Sequence, residues 1–342
     1  MKIFITGATG YIGHKLALSL AQQGHSINAL VRDPNSIRSP RHGNIRLVKG
    51  DIGFPESLLT AAKDCDLAYH VAGLINLSEA NAAKVSQINV AGTENVLKAA
   101  LLAGVKRFVF TSTCGIFNSA PGKLITEDIA PGPFDNSYDR SKFLAENLVR
   151  EYSQDGFETM TTYLTKVFGP GIETHSVSTN RIIGKFIRGQ INICPASGNF
   201  ISNYAFIDDI INGLQLVMEK GKQGGKYILG GENISYDDFF EILSNCSGKR
   251  ANTVHVPRWI AKIYAELYLL KAKFSEPHAF ITSHGIDKIY SSRAVSSDKA
   301  ISELNYSITP FYDAVERTID FLNNENRKPW LIMNQQPSML TV

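Results

Sequence analysis

The sequence predicts an α/β protein: a doubly wound parallel sheet with a smaller, interleaved C-terminal domain. Three observations carry this. Short apolar runs alternate with amphipathic stretches through the first 113 residues. Glycines 7, 10 and 13 follow the first apolar run. After residue 165 the rhythm loosens, as it does where a second domain is threaded through the first. Strand–helix alternation calls for right-handed crossovers, hence parallel strands covered on both faces.

The elements follow in order. Ile3–Ile5 is a short apolar run ending near glycine, a buried strand. Residues 11–23 place Ile12, Leu16 and Leu20 at helical spacing, and Gly24 stops the helix. Ser26–Val31 and Ile45–Val48 are the second and third strands, the latter followed by Gly50-Asp51-Ile52. Residues 55–63 read as helix and Leu67–Val71 as a fourth strand ending in Ala72-Gly73. A long helix spans roughly 80–103 and closes at Gly104; Phe108–Phe110 is a fifth strand ending in Thr111-Ser112-Thr113. Further on, helices are expected at 180–189, 208–219, 236–245, 259–270 and 313–322. Residues 226–229 form a strand, and strand and loop share 190–203. The domain division that results is 1–165, with 203–220 returning to it, against 166–202 plus 221–325, and a polar tail at 326–342.

Composition narrows the class. The chain has 342 residues, one large domain or two at about 150 residues each. It is 44% hydrophobic and 20% charged, ordinary for a chain with a packed core. A net charge of +3 gives no reason to expect a nucleic-acid partner. Cys65, Cys114, Cys194 and Cys246 are scattered, with no CxxC pair and no His at zinc spacing. Neither a disulfide framework nor a metal site is expected. The N-terminal apolar run is too short for a signal peptide or a membrane span, so a cytoplasmic location is expected.

Gly7-Ala8-Thr9-Gly10-Tyr11-Ile12-Gly13 joins the first strand to the first helix. Glycines there permit a tight turn, close approach of backbone to a pyrophosphate, and close helix–strand packing. The helix start adds free N–H groups and a positive dipole end. Val31-Arg32 follows the second strand where an acid would hold a ribose diol. A guanidinium there suits a 2′-phosphate, so NADP(H) is expected, although Asp33 leaves NAD open. Asp51, beside Ile52, is a candidate for the adenine amine, or else a turn or cap residue.

Tyr138 and Lys142 stand at i and i+4, on one face of a helix. A free phenol has a pKa near 10, and a nearby ammonium lowers it. Such a tyrosine exchanges a proton with a carbonyl or alcohol oxygen while hydride moves at carbon. Thr113 ends the fifth strand, where its hydroxyl could bond the same oxygen. Asn89 could hold a water that relays protons to Lys142, or make a local polar bond.

Taken together, these motifs resemble the extended short-chain dehydrogenase/reductase family over residues 1 to about 322. The resemblance rests on Thr-Gly-Ala-Thr-Gly-Tyr-Ile-Gly (6–13), Gly-Asp-Ile (50–52) and His-Val-Ala-Gly (70–73). It also rests on Asn-Val-Ala-Gly-Thr (89–93), Thr-Ser-Thr (111–113), Tyr138/Lys142, Phe-Gly-Pro-Gly (168–171) and Tyr-Ala-Phe-Ile-Asp-Asp (204–209). It implies a Rossmann dinucleotide domain that binds a nicotinamide cofactor along 7–13, Ala72 and Gly73. Tyr138 would be the acid/base, Lys142 would also hold the nicotinamide ribose, and Thr113 would take the usual Ser/Thr position. Helices near 89–104 and 138–152 often pair across a homodimer in this family.

Within the family, the chain looks closest to dihydroflavonol reductases and 3β-hydroxysteroid dehydrogenases. Members acting on sugar nucleotides usually carry an Arg where Ser202 precedes Asn203, and an Asn where this chain has Lys166. Lys166 and Asn203 are therefore candidate substrate contacts, and Lys166 with Arg181 could still grip a diphosphate. Tyr163-Leu164 replaces a common Arg-Pro beside the nicotinamide. The expected function is NADP(H)-dependent reduction of a ketone or aldehyde, or oxidation of the alcohol, on a small, lipophilic substrate. The alternatives are a nucleotide-sugar epimerase or dehydratase, and a dinucleotide sensor without catalysis. The apolar segment 257–270 could line the pocket, pack on the core or touch a membrane.

Overall fold

The computed structural model describes residues 1–326 except 78, 119–121, 173, 175–176, 251 and 276–282. The tail expected from 326 lies outside the described residues, apart from Asn326 itself.

The first half alternates as its periodicity requires. In order come β1 (Lys2–Thr6), α1 (Tyr11–Gln22), β2 (Ser26–Val31), β3 (Ile45–Lys49), α2 (Pro55–Ala62) and β4 (Leu67–His70). The long helix expected at 80–103 is broken into α3 (Ala82–Ser86), a π turn (Gln87–Ala91) and α4 (Gly92–Leu102). A π turn widens the helix by one residue per turn and is common at functional sites. Here it carries Asn89. Next come β5 (Arg107–Thr113), α5 (Ser137–Glu151) and β6 (Glu158–Leu164).

The second half adds β7 (Lys166–Phe168), α6 (Ser178–Ile187), β8 (Asn192–Pro195), β9 (Ile201–Phe206) and α7 (Ile207–Lys220). It continues with β10 (Lys226–Leu229), β11 (Glu232–Ser235), α8 (Tyr236–Ser247), β12 (Thr253–Val256) and α9 (Arg258–Ser275). The last helices are α10 (Ser283–Ile289), α11 (Asp298–Leu304) and α12 (Phe311–Asn326).

Seven strands form one parallel sheet in the order β10-β6-β5-β4-β1-β2-β3. The order reverses between β1 and β4, and that switch point opens a crevice at the strands' carboxyl ends. Within this sheet the strand the sequence reading missed is β6, Glu-Thr-Met-Thr-Thr-Tyr-Leu, rich in threonine but almost wholly buried; β7, β11 and β12 of the smaller sheets also went unread. The hydroxyls of β6 bond to backbone: Thr159 Oγ1 donates to Val149 O and Thr162 Oγ1 to Phe110 O. Strand β10, placed by the sequence reading in the second domain, pairs with β6 and completes the main sheet. Smaller sheets, β11-β9-β7 and β12-β8, build the second lobe.

One apolar layer packs α1 and α7 over one sheet face and continues into the second lobe, where α12 packs on α8 and α6; α2, α4 and α5 cover the other face. Asp209, in the first turn of α7, accepts from Thr309 N at 2.8 Å and Thr309 Oγ1 at 2.7 Å, tying the late loop to the sheet. Among the described side chains of α9, the buried ones are the small residues Ala261 and Ala265; Trp259, Ile263, Tyr264 and Leu267 are each more than half exposed. No described helix is long and apolar enough to cross a membrane.

Candidate active site

The opening turn is built by steric necessity. Gly7 has φ +74°, and a Cβ there would lie 2.7 Å from Ala72 N at the end of β4. A Cβ on Gly13 would lie 2.3 Å from Gly7 O, so only glycine lets α1 sit this close to the turn. Gly10 N donates to Gly7 O at 2.9 Å. Gly10 caps α1 without a side-chain hydrogen bond, and the first turn holds no acid. The helix therefore presents free N–H groups and an unopposed positive end, chemistry suited to phosphate. Thr9 and Ile12 are half-buried on this turn. Tyr11 is different: its hydroxyl donates to Gly169 O at 2.7 Å, and its ring fills the space beside Gly171. Its side chain braces the turn, leaving only its backbone to a ligand.

Arg32 follows β2 directly, is exposed, and has no hydrogen bond or ion pair among the described residues. Asp33 beside it is engaged locally, accepting from Asn35 N at 2.9 Å. Asp51 is a turn residue, not a cap: its Oδ1 accepts from Gly53 N at 2.8 Å, and α2 starts after Phe54. Ile52 is buried against Gly92, with its carbonyl held by Asn95 Nδ2 at 3.0 Å.

Helix α5 begins where Asn136 caps it. Asn136 Oδ1 accepts from Asp139 N at 2.8 Å, and Asn136 Nδ2 donates back to Asp139 Oδ2 at 2.6 Å. This sets Tyr138 and Lys142 on the helix face turned to the end of β5. Lys142 is 4% exposed, with Nζ 4.2 Å from the centre of the Phe110 ring. A Cβ on Gly73 would lie 3.8 Å from Lys142 Nζ and 3.5 Å from Asn89 Oδ1, so these three meet. Lys142 has no hydrogen-bond partner or ion pair among the described residues; nor has the Tyr138 hydroxyl.

The expected acidification of Tyr138 by Lys142 has the wrong sign in the protein alone. Burial, reinforced by the Asp139 carboxylate, pushes the phenol above its ordinary value. Burial also pushes Lys142 down to about 7, with Glu146 opposing it. Desolvation disfavours both charged forms.

Thr113 closes β5, and its Oγ1 accepts from Gly115 N at 3.0 Å. Gly115 lies between Thr113 and the neighbour of Tyr138. A Cβ there would stand 2.3 Å from Asp139 Oδ1 and 3.2 Å from Thr113 Oγ1. Asp139 cannot yield, because Lys288 of α10 pairs with its carboxylate and also donates to Gly115 O at 3.2 Å. Neither Gly115 nor Lys288 stood out in the sequence; no local spacing links them to Tyr138.

Asn89 does not present its side chain to a water. Its Oδ1 accepts from Leu74 N at 2.7 Å; its Nδ2 donates to Leu74 O at 3.1 Å and to Ser141 Oγ at 2.9 Å. It clamps the chain after Gly73 onto α5. A buried relay missed from sequence runs behind it. Thr93 Oγ1 donates to Asn89 O at 2.6 Å, so it accepts from His70 Nε2 at 2.9 Å. His70 Nδ1 then accepts from Thr6 Oγ1 at 2.6 Å. The ring is neutral, its pKa pushed down to about 3 by burial and then by Lys142. The relay links the residue before Gly7 to the π turn beside Lys142. Only the His-Val-Ala-Gly stretch hinted at it.

Lys166 donates to Ser202 Oγ at 2.7 Å and to Tyr236 OH at 3.2 Å. Asn203 is spent inside the protein and is not free for a substrate. Its Nδ2 donates to Gly231 O at 2.7 Å and Asn233 Oδ1 at 2.9 Å, and its Oδ1 accepts from Gly231 N at 2.8 Å. It staples β9 to the turn before β11.

The glycine turn, Ala72–Gly73, Thr113 and the Tyr138/Lys142 pair thus gather around one switch point. Residues 3–230 match the NAD dependent epimerase/dehydratase family. The chain belongs to that family. A Synechocystis sp. protein assigned by name as a dihydroflavonol 4-reductase is 29% identical over 269 residues, 77% of each chain. The 3-beta-hydroxysteroid dehydrogenase of Mycolicibacterium neoaurum is 23% identical over 321 residues, covering 89% of this chain and 86% of the other. The fold matches UDP-glucuronic acid 4-epimerase from Bacillus cereus, in complex with UDP-glucuronic acid and NAD, with TM-score 0.77. Identity there is 20%, over 95% of this chain and all of the other. The dehydrogenase and reductase relatives support a nicotinamide-dependent oxidoreductase.

Proposed function

We propose that this family member is an NADP(H)-dependent carbonyl reductase or alcohol dehydrogenase acting on a small, largely apolar substrate. The observation that carries the reading is Lys142: a buried lysine with no hydrogen-bond or ion-pair partner among the described residues, beside Gly73 and one helical turn from Tyr138. Such a cation is costly to bury unless a ligand completes it. A bound nicotinamide dinucleotide would supply the hydride.

The residues present fit that group. The N–H groups at the start of α1, with Gly7, Gly10 and Gly13, would hold the pyrophosphate. Arg32, without a hydrogen bond or ion pair among the described residues, would take a 2′-phosphate, and Lys142 the ribose beside Tyr138. Tyr138 would pass a proton to or from the substrate oxygen, and Thr113 Oγ1 would orient that oxygen. Gly115, Asp139 and Lys288 fix where Tyr138 begins its helix. Asn89 clamps Leu74 and Ser141, which keeps the Gly73 wall against α5. Pre-set positions of this kind account for much of an enzyme's acceleration.

The two relatives are named for a dihydroflavonol and a hydroxysteroid, which supports a largely apolar substrate. The four free cysteines fit a cytoplasmic setting. A second reading, a nucleotide-sugar epimerase, is favoured by Lys166, a half-buried cation with one donor beyond Ser202 and Tyr236.

The deciding experiment incubates the protein with NADPH and a panel of ring ketones and aldehydes, and separately with UDP-sugars and NAD. Net loss of NADPH absorbance with a ketone supports the reductase. Sugar turnover with no net change in nicotinamide absorbance would replace it with the epimerase.

A further inference from the structure

We propose that Cys194, Asp237 and His255 form a binding site for a divalent metal ion of the zinc class on the second lobe, with one coordination position open to solvent. No local spacing signals it, because the three residues are far apart in the chain and none has zinc-ligand spacing.

The fold brings them together from three elements. Strands β8 and β12 run parallel with His255 opposite Cys194, so the two side chains leave the same face of the sheet. Asp237 lies in the first turn of α8. One ligand atom from each residue lies within 4.8 Å of the others. Tetrahedral bonds of ordinary length need donors roughly 3.3–3.8 Å apart. Asp237 and His255 are exposed, so small rotations close that gap without disturbing the core, while Cys194 is fixed and buried. Thiolate, imidazole and carboxylate together suit zinc better than calcium or magnesium, which prefer all-oxygen shells.

Independent features point the same way. Gly198 has φ +63°, and a Cβ there would lie 2.0 and 2.1 Å from the Asp237 carboxylate oxygens. The carboxylate occupies a notch that only glycine leaves open, and Asp237 N donates to Gly198 O at 3.0 Å. His255 Nδ1 lies 3.2 Å from Pro195 O. A carbonyl only accepts, so Nδ1 carries the proton and Nε2 keeps its lone pair. This is the arrangement that orients metal-bound histidines. Asp237 has no ion pair among the described residues.

Binding is a proton exchange with no redox step. The Cys194 S–H bond breaks, its proton leaves to solvent, and the sulfur lone pair forms the bond to the ion. The ion would join β8, β12 and α8. Asp237 follows Tyr236, whose hydroxyl accepts from Lys166, so the site would brace the wall around Lys166.

The test uses the full, untagged chain, stripped with a chelator and dialysed. Zinc chloride is titrated by equilibrium dialysis with elemental analysis, and cobalt(II) serves as a spectroscopic probe. The expected result is one zinc per chain, a raised thermal midpoint, and a thiolate-to-cobalt charge-transfer band. Cys194→Ser removes that band. Asp237→Asn and His255→Gln each weaken zinc by about tenfold or more, with unchanged far-ultraviolet circular dichroism. These two exposed positions carry the test if the Cys194 variant fails to fold. No zinc on the wild-type chain, or undiminished zinc on both exposed variants, overturns the proposal.

Discussion

Removing one oxygen atom separates catalysis from folding at Tyr138. The Tyr138 hydroxyl makes no hydrogen bond within the described protein, and burial already holds the phenol in its neutral form. Tyr138→Phe therefore orphans no partner and leaves no cavity. The folding free energy should move by less than about 1 kcal/mol, the range for a substitution that breaks nothing. Nucleotide affinity should stay within about twofold, because the hydroxyl acts at the substrate oxygen in the transition state. Turnover should fall by about 10²–10⁴, the usual contribution of a positioned acid or base, or about 3–5 kcal/mol of barrier. The assay pairs single-turnover NADPH consumption with urea unfolding and fluorescence titration of NADPH. Retention of more than about a tenth of the wild-type rate would refute proton transfer by Tyr138. A large loss of stability would refute the claim that its hydroxyl is unpartnered.

Four further outcomes follow from the same geometry. Arg32→Ala should weaken NADPH by about 10- to 100-fold, the worth of a charge-assisted contact, and NADH little; equal weakening in titrations would remove the 2′-phosphate role. Lys142 has a folded pKa near 7 against an unfolded value near 10.5. The unfolded chain thus binds more protons between those values, and cofactor-free stability should rise with pH across that window. Lys142→Met should abolish this rise, which urea unfolding at several pH values would show. Gly115→Ala puts a methyl group 2.3 Å from the pinned Asp139 carboxylate; it should cost about 1–3 kcal/mol and lower kcat, visible in thermal unfolding and initial rates. Asn203→Leu should destabilise by about 1–3 kcal/mol through the orphaned Gly231 groups, yet leave KM unchanged; a raised KM with intact stability would return Asn203 to the substrate.

Much of the fold was legible in the chain because its signals are local. The periods of strand and helix, and the spacing of Gly7, Gly10 and Gly13, depend only on near neighbours in sequence. Helical periodicity alone places Tyr138 and Lys142 one turn apart whatever surrounds them. Strand β6 was hidden because threonine reads as polar until the backbone carbonyls that satisfy it are in place. The membership of β10 depends on pairing with β6, and no pattern within Lys226–Leu229 encodes that.

By itself, then, the sequence determined the doubly wound sheet, the glycine turn and the tyrosine–lysine face. Tertiary structure decided what depends on surroundings. Burial reversed the expected shift of Tyr138 and brought Lys142 near neutrality, since desolvation depends on every element packed around a group. Internal partners consumed the side chains of Asn89 and Asn203, and one carboxylate oxygen of Asp51 is held in its own turn. Long-range packing set His70 between Thr6 and Thr93, and Lys288 against Asp139. Identity and spacing state which groups a chain owns; only the folded neighbours set which of them stay free, and in which charge state.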